Sequence, residues 1–297
     1  IISPEFYLLG PLKIGTRQQG LGFREEFKEA RQWQVASDST QPSVQDVTGQ
    51  TADAVSQVVV SNVPGGTDQL YIAIVNLYTN GGSPGTSEVS SMSGGSGLTW
   101  DLVNGTVGCT ARINQPRTEW WWAFGSPSTF NLTVDLANTT LAAGAHVAVV
   151  RIDGAVNQEP INGEYANTNG DNGACDGSGT DDTAPTIGLT ISNSTSLALN
   201  SVHPRNQADV VSTPDSDYTQ DYEVANISGG NASSIWAGHR TTSPSVGTET
   251  ITHSLGKNRP WIMTAAEIVV PEYSLIWLGL APVLPGLIAK LKRRKRV

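Results

Sequence analysis

Two kinds of hydrophobic pattern occur in the middle of the chain, and both predict β-strands. Apolar and polar residues alternate cleanly in residues 130–136, and a similar run covers residues 54–60. Residues 70–77 and 145–152 are instead almost continuously apolar. Alternation indicates a strand with one buried face, whereas a short continuous run is typical of a buried central strand. Turn signals such as Pro64-Gly65-Gly66 separate these runs, which is the pattern of antiparallel sheets.

The order of these segments predicts one all-β domain. Roughly ten of them lie between residues 54 and 269, with no helical pattern between them, which favours a single antiparallel jelly-roll sandwich over repeated βαβ units. No internal repeat is evident in the sequence. We therefore assign residues 35–269 to one jelly-roll β-sandwich.

The two ends of the chain differ from this middle part. In residues 1–34, Phe23, Phe27 and Ala30 stand at helical spacing with charges between them, which predicts a short N-terminal helical segment. That segment would be a leader remnant or pack on the domain, and the alternative is that it docks on a neighbouring subunit. Residues 270–297 form a third region, in which we predict a C-terminal hydrophobic helix.

Composition narrows the range of partners. The chain has 297 residues and a formal net charge of −9, and only 15% of its residues are charged. Residues 32–289 hold 7 Lys and Arg against 23 Asp and Glu. A body this acidic repels phosphate groups, so we expect no nucleic-acid partner.

The C-terminal tail combines three features in a fixed order. Val270, Pro271, Glu272 and Tyr273 come first, and residues 274–289 form an apolar run. A basic cluster then follows, comprising Lys290, Lys292, Arg293, Arg294, Lys295 and Arg296. Such a cluster marks the cytoplasmic side of a membrane segment. The sixteen apolar residues would span about 24 Å as a helix, against a hydrocarbon core of about 30 Å, so the run is short for a permanent anchor.

This order of motif, apolar segment and basic cluster resembles the PEP-CTERM class of sorting signals and their archaeal relatives. The resemblance implies a membrane-bound sorting transpeptidase, an exosortase or archaeosortase, which recognises the Pro-Glu motif, removes the tail and passes the protein to the surface. Val270 stands where the class has its first Pro, and Tyr273 where it has its last. A simple tail anchor and a buried core element remain as alternatives.

Residues 54–269 also resemble a jelly-roll family of surface and phage-associated proteins. The shared segments are a Gly-Leu-Thr-Trp ribbon at residues 97–100 and an Arg-Thr-Glu-x-Trp strand at residues 117–121. A final pair lies at residues 247–250 and 261–268. This resemblance implies a concanavalin-like or jelly-roll topology and carries no activity with it.

Aromatic and acidic residues supply the first candidate binding and catalytic positions. Trp120 and Trp122 alternate in one predicted strand, and an exposed pair could form a platform for sugar rings. Packing in the core is the alternative for both. Glu119 and Glu267 are the carboxylates that could face each other as in a retaining glycosidase. His146 lies in an apolar strand, which favours a core histidine over a catalytic base.

A cation site, a disulfide and glycans are further hypotheses. Asn169, Asp171 and Asp176 cluster oxygen ligands of the kind that Ca²⁺ requires, although solvated turn residues would look the same. A second acidic loop at residues 215–221 has a similar composition. Cys109 and Cys175 could form a disulfide in an oxidising compartment or remain two thiols. Six Asn-x-Ser/Thr sequons are compatible with a glycoprotein.

Two classes of function follow from these patterns. The sequence favours a non-enzymatic cell-surface or extracellular-matrix protein, exported and membrane-anchored through its C-terminal signal, that adheres to or assembles with other molecules. The alternative is a carbohydrate-binding, lectin-like protein or a polysaccharide-active enzyme on the same sandwich. The expected partners are the sorting transpeptidase, the membrane, and either carbohydrate or a second copy of the chain.

Overall fold

The computed structural model describes residues 42–52, 56–79, 88–108, 116–137, 142–168, 170–171, 183–204, 213–225 and 234–269. All of them belong to one compact unit of the chain, Ser39–Val297. Every regular element in these ranges is a β-strand in antiparallel pairing, which confirms the all-β prediction there. The same ranges contain no helix with the length and apolarity of a membrane span. The predicted terminal helices lie outside them.

The first half of the domain contains eight strands in two sheets. The strands are β1 (Ser43–Ala52), β2 (Gln57–Val63), β3 (Gln69–Thr79), β4 (Val89–Ser93), β5 (Asp101–Leu102), β6 (Pro116–Gly125), β7 (Phe130–Leu136) and β8 (Ala142–Asp153). Three of them form outer sheet 1, in the order β2-β7-β4. The other five form inner sheet 1, in the order β1-β8-β3-β6-β5.

The second half contains nine strands, also in two sheets. The strands are β9 (Ile161–Asn167), β10 (Gly170–Asp171), β11 (Thr186–Ile191), β12 (Leu197–Pro204), β13 (Thr213–Pro214), β14 (Tyr218–Ala225), β15 (Ser234–Arg240), β16 (Gly247–Ser254) and β17 (Trp261–Ile268). Inner sheet 2 has the order β10-β9-β17-β12-β15-β14. Outer sheet 2 has the order β11-β16-β13.

The four sheets pack as successive layers with three hydrophobic cores between them. The first core contains Val60 and Leu132 of outer sheet 1 together with Ala73 of inner sheet 1. The opposite face of inner sheet 1 packs on inner sheet 2 and forms the second core. The third core lies between inner sheet 2 and outer sheet 2. Both inner sheets are therefore covered on both faces.

This layering explains the two hydrophobic patterns in the sequence. Strands β12 and β17 of inner sheet 2 have all eight residues buried, because neither face of that sheet meets solvent. Strand β7 of outer sheet 1 buries alternate residues, including Leu132 and Val134, and turns the others toward solvent. Apolar residues on both faces of a strand are expected wherever both faces are covered.

The two halves have the same topology, strand for strand. The order β1-β8-β3-β6-β5 of inner sheet 1 matches the order β9-β17-β12-β15-β14 of inner sheet 2. Likewise, β2-β7-β4 matches β11-β16-β13, and the two-residue strand β10 is the one described strand without a counterpart. The described strands therefore form four sheets, where the sequence predicted the two sheets of a single sandwich. The strands belong to two sandwich-like halves that pack through their inner sheets.

Little of this repetition is visible in residue identities. Ser126-Pro127-Ser128 follows β6, and Ser243-Pro244-Ser245 occupies the matching connection after β15. Elsewhere the halves share the order of strand types rather than the residues. Many sequences satisfy one pattern of buried positions, so a repeated topology needs no repeated sequence.

The two halves come into close backbone contact at two glycines. A Cβ atom on Gly105, in the connection after β5, would lie 1.8 Å from the Gly163 carbonyl oxygen of β9. A Cβ atom on Gly163 would lie 2.1 Å from the Asn104 carbonyl oxygen. Backbone atoms cannot move aside as a flexible side chain can, so glycine is required at this contact.

We predict that Gly105→Ala destabilises the protein more than Gly97→Ala. Both glycines have a positive φ, 76° and 82°, so both substitutions carry a backbone strain of about 1–2 kcal/mol. Only Gly105 adds the steric conflict, worth about 1–3 kcal/mol more, because a Cβ atom on Gly97 meets nothing within 4 Å. Urea unfolding of the two variants measures the difference. Equal losses would contradict the close approach of the halves.

Candidate functional site

The predicted aromatic platform lies in β6, and most of it is buried. Trp120 is fully buried in the core between the inner sheets, and its Nε1 donates to Ser201 Oγ at 3.3 Å. Trp121 packs on the opposite core, toward outer sheet 1. Trp120 therefore has no face available for a sugar ring. Inner sheet 2 covers the side of β6 on which the sequence predicted an exposed pair of tryptophans.

Trp122 is the one member of the predicted aromatic platform that remains partly exposed. It packs at the margin of the same core as Trp120 and is only partly buried. Its register partner at the sheet edge is the exposed residue Asp101. One partly exposed indole is less than the pair that the sequence predicted, and its binding to carbohydrate stays a prediction.

The two candidate catalytic carboxylates lie on opposite sides of the inner sheets. Glu119 packs toward outer sheet 1, where it accepts hydrogen bonds from Arg117 Nε at 2.7 Å and from the Val89 backbone at 3.3 Å. Glu267 lies on the outer face of inner sheet 2. Stacked sheets are about 10 Å apart, and two of them separate these groups. The pairing of a retaining glycosidase, about 5–5.5 Å, is therefore wrong for Glu119 and Glu267.

Glu267 is held by protein donors in a structural role. The backbone N–H groups of Ser192 and Asn193 each donate to it at 2.9 Å, and Asn162 Nδ2 donates at 2.9 Å. Asn162 itself has φ 53°, a conformation that Asn tolerates better than most residues. The fully buried carboxylate thus fixes the turn after β11 against β9.

The acidic loops are only partly within the described residues. Asn169 and Asp176 lie outside them, and the side chain of Asp171 is not described. In the second loop, Asp217 pairs with Arg240 at 3.2 Å, and Asp221 contacts His239 Nδ1 at 2.8 Å. No group of three or more His, Cys, Asp or Glu that could hold a metal occurs in the described ranges. Calcium binding remains a prediction for the first loop.

Other predicted positions also fall outside the described residues. They are the cysteines Cys109 and Cys175, the motif Val270, Pro271, Glu272 and Tyr273, and the basic cluster Lys290, Lys292, Arg293, Arg294, Lys295 and Arg296. The disulfide, the sorting motif and the basic cluster therefore stay predictions.

A shallow surface cavity of about 460 Å³ lies where the halves meet, lined by residues 104–105 and 158–163. Glu159 accepts a hydrogen bond there from the Asn104 backbone at 2.6 Å. The lining contains no aromatic side chain, so it offers no ring for sugar stacking. It was not foreseen from the sequence, because the two segments are distant along the chain.

Three histidines lie in the interior. His146 is fully buried, as the sequence predicted, and its ring centroid lies 5.8 Å from that of His203. Burial lowers the pKa of His203 to about 4, against smaller opposing contributions from the Ser234 and Leu77 carbonyls. Burial also lowers the pKa of His253 to about 4, and a hydrogen bond of 2.9 Å joins its Nε2 to Asn200 Oδ1. His203 and His253 are therefore neutral at pH 7.

Sequence reasoning overlooked a polar cluster around the His146–His203 pair. Asn76, Thr118 and Thr264 are 0–1% exposed, and each faces the core between the inner sheets. The sequence feature that could have indicated this cluster is a single polar residue within an apolar strand, such as Asn76 in residues 70–77. A lone interruption of this kind is easily taken for a satisfied core residue.

We predict that Glu119→Gln lowers the free energy of unfolding by about 3 kcal/mol, because it removes the buried carboxylate that pairs with Arg117 and leaves that cation only the distant, exposed Glu88. The side chains of Glu119 and Arg117 are 3% and 9% exposed. Glu88→Gln is the matched control, since Glu88 contacts the same guanidinium at 3.9 Å but is 53% exposed. That exposed pair should contribute less than about 1 kcal/mol. Chemical denaturation measures both, and a negligible loss for Glu119→Gln would contradict its structural role.

We also predict that the protein loses stability as the pH falls from about 6.5 to about 4. The unfolded chain protonates its histidines near pH 6.5, whereas His203 and His253 resist protonation down to about 4 in the folded state. Between these values the unfolded state binds more protons, so each histidine costs up to about 3 kcal/mol by pH 4. Urea unfolding at pH 7 and pH 4.5 should show a smaller difference for His203→Gln than for the wild type. An unchanged pH dependence in that variant would contradict the prediction.

Comparison with known proteins gives no relative from which a function could be transferred. No protein-family model, no curated protein and no solved structure matches the chain. The resemblances to a sorting-signal class and to a jelly-roll family therefore stay predictions from the residues quoted above.

Proposed function

We propose that this chain is a non-enzymatic cell-surface or extracellular-matrix protein, delivered and anchored through its C-terminal signal. The observation that carries the proposal is the order of residues 270–296: a Val-Pro-Glu-Tyr motif, an apolar run and six cations. A membrane-bound sorting transpeptidase is the partner that this order fits. The large acidic body would then lie outside the cell, and adhesion or assembly would be its role there.

The place where the tail leaves the domain supports an anchored role. The last strand, β17, ends at Ile268, two residues before Val270. This strand lies between β9 and β12 in inner sheet 2 and pairs with both. A pull on the tail would therefore act on a buried strand held on both sides. A pull on an edge strand would instead be resisted by hydrogen bonds to one neighbouring strand only.

The fold also suits an architectural protein, and we propose that each half is a jelly roll. The order β1-β8-β3-β6 facing β2-β7-β4 supports this assignment, and the second half repeats it. The short strand β5 departs from the pattern, because it pairs with β6 instead of extending the outer sheet. A stack of four sheets, in which the inner two are covered on both faces, suits a rigid protein that has no deep cleft.

The site residues favour this role over a polysaccharide-active enzyme. Glu119 and Glu267 are each engaged in structural hydrogen bonds on opposite sides of the inner sheets. Trp120 is enclosed, and Trp122 is the single partly exposed indole of the proposed platform. A lectin-like role would therefore have to rest on Trp122 alone among the described candidates.

The processing of the tail tests the proposal. We expect intact-mass spectrometry of the protein from its native cells to show a C-terminus near Glu272, and a Glu272→Ala variant to keep Val297. Ser274→Ala is the matched control and should be processed normally, because it leaves the motif intact. Protease added outside intact cells should digest the wild-type body. A wild-type protein that retains Val297 would contradict sorting, and a body protected from external protease would contradict surface exposure.

A further inference from the structure

A row of polar side chains crosses inner sheet 1 within the core that joins the two halves. His146 of β8, Asn76 of β3 and Thr118 of β6 occupy paired register positions, with Asn76 in the middle. All three are 0–1% exposed. They share the face of Ile74 and Trp120, which are apolar members of that core. A polar row in this position is surrounded by packed hydrocarbon.

Polar side chains of inner sheet 2 face this row at the same end of the interface. His203 of β12 brings its ring centroid to 5.8 Å from that of His146, at an interplanar angle of 68°. Thr264 of β17 is the register partner of Ser201, whose hydroxyl accepts from Trp120. Each half therefore contributes polar groups to one enclosed region.

Several of these groups lack a hydrogen-bond partner within the described part of the protein. They are both amide atoms of Asn76, Oγ1 of Thr118, Nε2 of His203 and Oγ1 of Thr264. A buried polar atom without a partner costs about 1–3 kcal/mol, and more than about 90% of such atoms in native proteins are bonded to protein or water. Five of them at one end of one interface indicate a shared partner.

The chemistry of the five atoms defines that partner. The Asn76 amide both donates and accepts, and so does each threonine hydroxyl. His203 Nδ1 lies 2.6 Å from the Ser234 carbonyl and so carries the proton of the neutral ring. Its Nε2 is then an acceptor. The Leu77 carbonyl that contributes to the pKa of His203 is also an acceptor, so it cannot satisfy Nε2 in the neutral ring. All five atoms are uncharged, so they fit a small neutral molecule that donates and accepts hydrogen bonds.

The same region is poorly suited to a metal ion. The buried carboxylates Glu119 and Glu267 lie on the other faces of their sheets and cannot balance a cation there. An uncompensated buried ion costs several kcal/mol. A hard cation such as Ca²⁺ would also require carboxylate ligands, and none of the five atoms belongs to one.

We propose that Asn76, Thr118, His203 and Thr264 form an internal binding site for water molecules that bridge the two halves of the domain. One water makes about three hydrogen bonds, so two or three molecules would satisfy the five atoms. The bridging waters would fix the position of one inner sheet on the other. An apolar contact alone is not directional and leaves that position less well defined.

Isosteric substitutions test whether the site is hydrated. Thr118→Val and Thr264→Val remove only the hydroxyl. Thr106→Val is the matched control, because Thr106 is equally buried and its hydroxyl donates to the Val103 carbonyl at 2.8 Å. If water binds the hydroxyls, all three variants should lower Tm, each by about 2–4 °C. An unchanged or raised Tm for Thr118→Val and Thr264→Val, with a loss for Thr106→Val, would overturn the proposal.

A direct observation identifies the occupant. High-resolution or neutron diffraction from the full chain should show ordered water within hydrogen-bond distance of Asn76 and of His203 Nε2. Metal analysis of the purified protein should find no bound ion at one equivalent. Density for a metal ion between the histidines, or a dry site, would overturn the proposal.

Discussion

The structure depends on the burial of both faces of its two inner sheets. A sheet covered on one side can leave polar residues on the other, but each inner sheet lies between two layers. Its strands must therefore be apolar at nearly every position, and each fully buried Val, Leu or Ile contributes about 1.5–3 kcal/mol. Neither half can satisfy this requirement alone, because its inner sheet would expose the face that contains Ile74 or Leu199. The interface between the halves is thus part of the folding core.

This constraint explains which residues at the junction can vary. Where the halves touch through side chains, apolar residues of similar volume can replace one another. Where they touch through backbone, as Gly105 and Gly163 do, no side chain fits at all. The buried Glu267 lies within the second half, away from this junction, and its charge is tolerated because three N–H groups surround it. The requirement is therefore strictest where backbone meets backbone and loosest where apolar side chains meet.

The hydrophobic pattern predicted the strands well but not their arrangement. Residues 70–77 and 130–136 were correctly assigned as a central strand and a strand with one exposed face. The pattern could not reveal that β3 is covered by a second sandwich-like half, because a buried strand reads the same whatever covers it. For this reason Trp120 looked like an exposed platform, and Glu119 and Glu267 looked like facing partners. Periodicity encodes the burial of a residue, whereas distances between strands depend on the topology.

Polar groups inside such an interface have a cost that apolar packing does not explain. A core made only of Ile74, Val150 and similar residues would be more stable, but it would accept shifted alignments of the two inner sheets at little cost. Hydrogen-bonding groups at fixed positions penalise a shifted alignment, because any displacement leaves several of them unsatisfied. The cluster around Asn76 lies at one end of the interface, where a small rotation of the sheets produces the largest displacement. Its polarity is therefore best understood as a device that selects one alignment of the two halves.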